Sequence, residues 1–304
     1  MKKSTIVQSV VRSTLVGFYR VRLRAEAFLD EDHAASTALR LFSSPERHRR
    51  PDRERLVLAK AEPHPYLLEG KAHAAWSFGE GPAVLLLHGW EGRGAQLASF
   101  VDPLVEKGYR VVVIDAPAHG SSPGSLSTAY ELAAALHAVA KTVPRVHAVV
   151  AHSLGGLATA LAIDEGLDVA RAVIIGAPFS PEAAIETLTR ILALPARVRD
   201  KVAEKIALRS RFSWDELTHG EVWKAMPVPL LVVHDADDKA VPLVDGRAIA
   251  NLADAELLET SGLGHHRVLA NEQVVGRVVE FVDAGEVEKR VDPWRAFLYG
   301  AVGV

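Results

Sequence analysis

One serine in this chain stands where a serine can act as a nucleophile. In His147-Ala148-Val149-Val150-Ala151-His152-Ser153-Leu154-Gly155-Gly156-Leu157 an apolar run ends at Ser153, and a helical pattern starts directly after it. A strand-to-helix turn of the form Gly-x-Ser-x-Gly projects the seryl oxygen at a sheet edge. It also sets the next amide, that of Leu154, at a helix start where a developing oxyanion is stabilised. Such a crowded turn needs small residues two before and two after the serine. Here they are Ala151 and Gly155, with alanine in the usual place of glycine. Without partners the same serine reads as an ordinary helix cap.

A hydroxyl needs a base, and the base needs an orienting acid. Both follow Ser153 in the chain. The apolar run 230–233 leads into His234-Asp235-Ala236-Asp237-Asp238-Lys239-Ala240-Val241-Pro242. Asp238 best fits an Asp-x-x-Val-Pro pattern that opens the next helix. Asp237 is the alternative acid, and Asp235 stands where this pattern usually has glycine. Further on, Gly262-Leu263-Gly264-His265-His266 offers two adjacent histidines, of which His265, directly after a glycine, is the favoured base and His266 a helix-start or packing residue.

A glycine-rich stretch, His88-Gly89-Trp90-Glu91-Gly92-Arg93-Gly94, follows the apolar run 83–87. Glycine lets a backbone amide swing toward the nucleophile. The Trp90 N–H is therefore expected to join that of Leu154 as an oxyanion donor, and Trp90 and His152 to line the substrate pocket. The glycine spacing matches neither a phosphate loop nor a dinucleotide fingerprint. Asp115-Ala116-Pro117-Ala118-His119-Gly120-Ser121-Ser122 reads as a structural turn, without the ligand spacing of a metal site.

These residues need a scaffold. Short apolar runs at 83–87, 110–114, 147–151, 172–175 and 230–233 alternate with helical patterns near 95–107, 127–141, 154–165, 243–252 and 267–282. Continuous apolar strands argue a parallel sheet covered on both faces, in an α/β arrangement. Two antiparallel strands are expected around 67–78. Residues 179–226 break the rhythm with helical patterns only; their Ile185, Leu188, Leu192 and Trp214 suit either an apolar pocket or the core of the insertion itself. Residues 1–60 also read as helical. Val7, Val10, Val11, Leu15, Phe18 and Leu23 suggest one stripe, of a helix packed on the main domain or, alternatively, of a membrane-surface helix or dimer contact. The mixed charges of 46–55 suggest a solvated face or linker.

The 304 residues are 49% hydrophobic and 24% charged, with a formal net charge of −3 and no cysteine. Disulfides, thiolate metal sites and a cysteine nucleophile are excluded, and nothing basic overall points to nucleic acid. No run reaches the roughly 18 apolar residues of a membrane span. A cytoplasmic protein without metal or cofactor is the expectation, with homo-oligomerisation left open.

Together, the His-Gly-Trp loop, the Ser153 turn, the Asp238 loop and the Gly-His-His loop resemble the α/β-hydrolase fold superfamily over residues 67–283. The resemblance implies a mostly parallel eight-stranded sheet flanked by helices, with 179–226 as a helical lid insertion; 1–66 form an N-terminal helical extension and 284–304 a C-terminal tail. It implies a serine hydrolase acting on a carboxylic ester or related acyl substrate through Ser153, Asp238 and His265. Thioester, lactone, amide or C–C hydrolysis on the same triad, or a non-catalytic ligand-binding protein, are the alternatives. A serine nucleophile counts against the dehalogenase and epoxide hydrolase members, which use aspartate.

Overall fold

The computed structural model describes residues 2–285 except Ala225, with the side chains of residues 2–14 left aside. The expected tail thus lies outside the described residues apart from its first two positions. In chain order the helices are α1 (Lys2–Leu29), α2 (Glu31–Phe42), α3 (Asp52–Leu58), α4 (Val101–Glu106), α5 (Ala129–Ala140), α6 (Leu154–Asp164), α7 (Glu182–Leu192), α8 (Ala196–Ala207), α9 (Trp214–Thr218), α10 (Glu221–Lys224), α11 (Leu243–Ala253), α12 (Gly264–Arg267) and α13 (Glu272–Asp283). The strands are β1 (Glu62–Pro63), β2 (Tyr66–Leu68), β3 (Lys71–His73), β4 (Ala75–Phe78), β5 (Ala83–Leu87), β6 (Arg110–Ile114), β7 (Val146–His152), β8 (Arg171–Ile175), β9 (Leu230–Asp235) and β10 (Glu256–Thr260).

The described residues form two compact units: 45–179 with 220–285, and 2–44 with 180–219. The larger holds an eight-stranded sheet in the order β1-β4-β6-β5-β7-β8-β9-β10. Pairing is parallel from β6 through β10, and antiparallel only where β4 meets β1 and β6. The expected antiparallel strands are present, and β2 and β3 form a separate hairpin. Every residue of β5, β8 and β9 is buried. That follows from helices on both faces, which leave no solvated side to call for polar alternation. On one face Val84, Leu86, Val113, Val150, Val173 and Val233 pack with Leu104 of α4 and Val278 of α13. On the other lie α5, α6 and α11.

The smaller unit has its own core. Leu23 of α1 and Ala34, Ala35 and Ala38 of α2 pack with Ile185, Leu188, Leu192, Val198 and Val202 of α7 and α8. The apolar residues of the insertion named above are thus core residues of a helical unit, with Trp214 packed against them. The single stripe expected along α1 is corrected: Leu23 is buried, whereas Leu15 and Phe18 are exposed. Val7, Val10 and Val11 lie outside the described side chains. α2 is capped by Asp30, whose carboxylate accepts from the amides of Asp32 and His33, and opens with Glu31 and Asp32, which suit a helix N-terminus.

Candidate active site

β7 runs buried to His152, and α6 begins at Leu154. Ser153 between them has φ 53° and ψ −126°, a conformation that costs a non-glycine residue about 1–3 kcal/mol and persists only where the surroundings impose it. Its amide donates to Ile175 O on the neighbouring strand at 2.8 Å. Its side chain makes no capping hydrogen bond to α6, so the helix-cap reading has no support. The neighbourhood is tight. A Cβ added to Gly89 would lie 2.6 Å from Ser153 Cβ, and one on Gly155 would lie 2.5 Å from His88 O. Glycine at these two positions lets the loop after β5 pass directly over Ser153, and the Trp90 N–H follows Gly89. Ala151 is fully buried, so its methyl group is accommodated.

Asp238 and His265, the expected acid and base, follow the ends of β9 and β10. Asp238 Oδ2 lies 2.6 Å from His265 Nδ1. Its Oδ1 accepts from the amides of Ala240 and Val241 at 2.8 and 2.9 Å. Burial, the largest single influence, pushes this carboxyl upward. The His265 hydrogen bond and charge and the two amides outweigh burial and hold the carboxyl below its usual range. With Nδ1–H committed to Asp238, Nε2 of His265 is left as the basic nitrogen. Asp237, the alternative acid, instead accepts from the Gly262 amide at 2.7 Å. His266 is exposed beside His265, with ring centroids 5.0 Å apart.

Asp235, which departs from the usual glycine, has a task of its own. Its carboxylate accepts from the amides of Gly264 and Leu263 at 2.8 and 3.1 Å and from Thr260 Oγ1 at 2.7 Å. It ties the end of β9 to the loop that carries His265. His152 does the same from the nucleophile side. Its Nε2–H donates to His265 O at 2.8 Å, and the two rings lie 4.5 Å apart. His152 is 3% exposed, and burial, aided by the neighbouring His265, pulls its imidazole down to about 3. Where a substrate contact was expected, His152 forms a strut to the His265 loop: the ring is neutral, enclosed and bonded to backbone.

Behind the Trp90 loop, His88 accepts from the Ala116 amide at 3.0 Å through Nε2 and donates from Nδ1 to Gly89 O at 2.7 Å. Burial brings His88 down to about 3, which keeps it neutral, and the Ala116 N–H fixes the tautomer by requiring Nε2 as acceptor. Trp90 is half-buried, its ring edge-on to His119 at 5.5 Å. His119 Nδ1 is held by Pro117 O, and among the described residues no group of three or more histidines and carboxylates is placed to hold a metal.

The charged segment 46–55 is solvated over most of its length, as expected of an exposed face, but it is also anchored at several points. Glu54 and Arg93 form a buried two-point ion pair, with Arg93 Nη2 donating to Glu54 Oε1 at 2.8 Å and Nε to Oε2. Arg50 donates to Asp115 Oδ2 at 2.7 Å, and Asp115 Oδ1 accepts from the Gly94 amide at 2.8 Å. Arg47 donates to Ser122 O and Gly124 O, and Glu91 accepts from the Glu46 amide. The segment is a strap fastened to the loop that carries Trp90 and to the turn after β6. Glu54 and Arg50 face opposite charges from distant loops, while Arg49, Asp52, Arg53 and Arg55 are exposed. Gly176, just past β8, is a second feature absent from the sequence reading. It has φ 59°, and a Cβ there would come within 3.2 Å of Asp238 Oδ2 and 3.3 Å of His265 Nδ1. A glycine at the end of a buried central strand was the available signal.

Residues 82–225 match the family model described as the alpha/beta hydrolase fold. A pimeloyl-[acyl-carrier protein] methyl ester esterase of Aeromonas hydrophila is 39% identical over 80 residues, 26% of this chain and 31% of that protein. One from Vibrio campbellii is 36% identical over 111 residues, 36% of this chain and 42% of that protein. The chain thus matches well under half the length of these relatives. An esterase of Pyrococcus furiosus superposes with a TM-score of 0.61 at 19% identity, covering 79% of this chain and 98% of that one.

Proposed function

The chain has the alpha/beta hydrolase fold, and from that premise we propose that it is a member of that superfamily and hydrolyses carboxylic esters through Ser153. The observation that carries the reading is the pairing of Asp238 with His265 at 2.6 Å beside a serine held at positive φ and free of capping duty. In the proposed reaction His265 Nε2 takes the hydroxyl proton as Ser153 Oγ attacks the ester carbonyl. The imidazolium forming against Asp238 is stabilised by it, and Nδ1 stays the protonated nitrogen throughout. The Leu154 and Trp90 amides receive the oxyanion. The alcohol leaves with the proton that His265 carries. Water, deprotonated by the same nitrogen, then releases the acid and restores Ser153. Such a cycle needs no metal or cofactor.

Relatives named as methyl ester esterases support an ester over other acyl bonds. Turnover of short p-nitrophenyl esters tests the proposal. The unaltered chain should hydrolyse them, and Ser153→Ala should lose at least about a thousandfold in kcat/KM with unchanged thermal unfolding. Equal rates for the two proteins would overturn it.

A further inference from the structure

Helix α1 is apolar on two sides. Tyr19, Leu23 and Ala27, four residues apart, turn toward the core of the helical unit, and Leu23 is 1% exposed. The outward side carries Leu15, Phe18, Val21, Phe28 and Leu29, which are 52%, 59%, 72%, 91% and 83% exposed. A helix at the surface of a water-soluble unit needs one apolar stripe, and single exposed apolar residues are ordinary. Two phenylalanines, two leucines and a valine over four turns form a contiguous second stripe, which marks an interaction surface.

Charge says what that surface meets. The sequence of α1 holds Lys2, Lys3, Arg12, Arg20, Arg22 and Arg24 against the single acid Glu26, in a chain whose overall net charge is −3. Arg20, Arg22 and Arg24 are exposed along the same stretch as the apolar residues; Arg20 also donates from Nε to Ile191 O and Arg22 to Glu26, which leaves Arg24 as the guanidinium of the three with no such bond among the described residues. A second copy of the chain laid on this face would bring two strongly basic helices together, and like charges disfavour that pairing. An anionic lipid headgroup layer offers what both features require: an apolar boundary for the aromatic rings and phosphates for the guanidinium groups. No helix among the described residues is long and apolar enough to cross a membrane.

We propose that the outward face of α1 is a membrane-surface site that lays this protein on anionic phospholipid. The full chain is tested by flotation with phosphatidylcholine vesicles, with and without phosphatidylglycerol. It should rise with the anionic vesicles and not with the neutral ones, and should be released by about 0.5 M salt, where screening is nearly complete beyond a few ångströms. The double variant Phe18→Ser, Phe28→Ser should lose at least about tenfold in vesicle partition. Its circular dichroism and thermal unfolding should match the parent's, which separates lost docking from lost folding. Parent protein that stays unbound with anionic vesicles, or a variant that floats equally well, overturns the proposal. So does a parent dimer in light scattering that the variant converts to monomer, which would give the face to a second copy.

Discussion

The Asp238 carboxylate accepts from His265, Ala240 and Val241, whereas one position earlier Asp237 holds only loop backbone. The two acids are adjacent in the chain and separate in duty, and substitution distinguishes them. Asp238→Asn removes the acceptor that fixes the tautomer of His265 and should lower kcat/KM by on the order of 10³- to 10⁴-fold. Asp237→Asn should leave the rate within about threefold, since surface hydrogen bonds contribute little. Steady-state kinetics on one soluble ester reads both. The sequence left this choice open because spacing shows which loop bears the acid, and side-chain direction within a loop is set by contacts that sequence does not display. Asp235 carries the same lesson. A departure from the usual glycine is explained once its carboxylate is seen gripping the amides of Leu263 and Gly264.

At the scale of elements, the strands and helices of the larger unit were legible because a parallel sheet covered on both faces writes itself as unbroken apolar runs. The strap was not. Interleaved acids and bases look the same whether water or protein faces them, and the partners lie far off: Arg93 is 39 positions from Glu54, and Asp115 is 65 from Arg50. The burial of the Glu54–Arg93 pair gives it a testable signature. Removing one partner leaves an uncompensated buried charge, so Glu54→Leu should cost about 3–5 kcal/mol in denaturant unfolding. Glu54→Leu with Arg93→Met should cost much less than the two single changes summed. Because Arg93 sits three residues beyond Trp90, Glu54→Leu should also depress kcat for a small ester more than it raises KM.

For the whole molecule, the joining of residues 2–44 with 180–219 into one helical unit was the least legible feature. Each segment shows helical spacing, but nothing in either names the other, and the apolar residues of α1 had to be divided between two faces. Acid stability is a property of the entire fold and has a calculable sign. His88 and His152 are buried and brought to about 3, against 6.5 when unfolded. Between those values the unfolded chain binds protons that the folded chain refuses. Stability is therefore full above about pH 6.5 and falls as pH drops toward 3, by up to about 1.4 kcal/mol per pH unit for each histidine. The Asp238 carboxyl, held below its usual range, adds a loss only at lower pH, as it protonates. Thermal midpoints should decline from pH 7 to pH 5, and His152→Gln should flatten that slope. The central claim, that Ser153 is an activated nucleophile, is tested most directly by treating the folded chain with a fluorophosphonate and locating the adduct by peptide mass. The account predicts stoichiometric modification of Ser153, abolished by His265→Ala; folded protein that remains unmodified, or is modified at another serine, would contradict it.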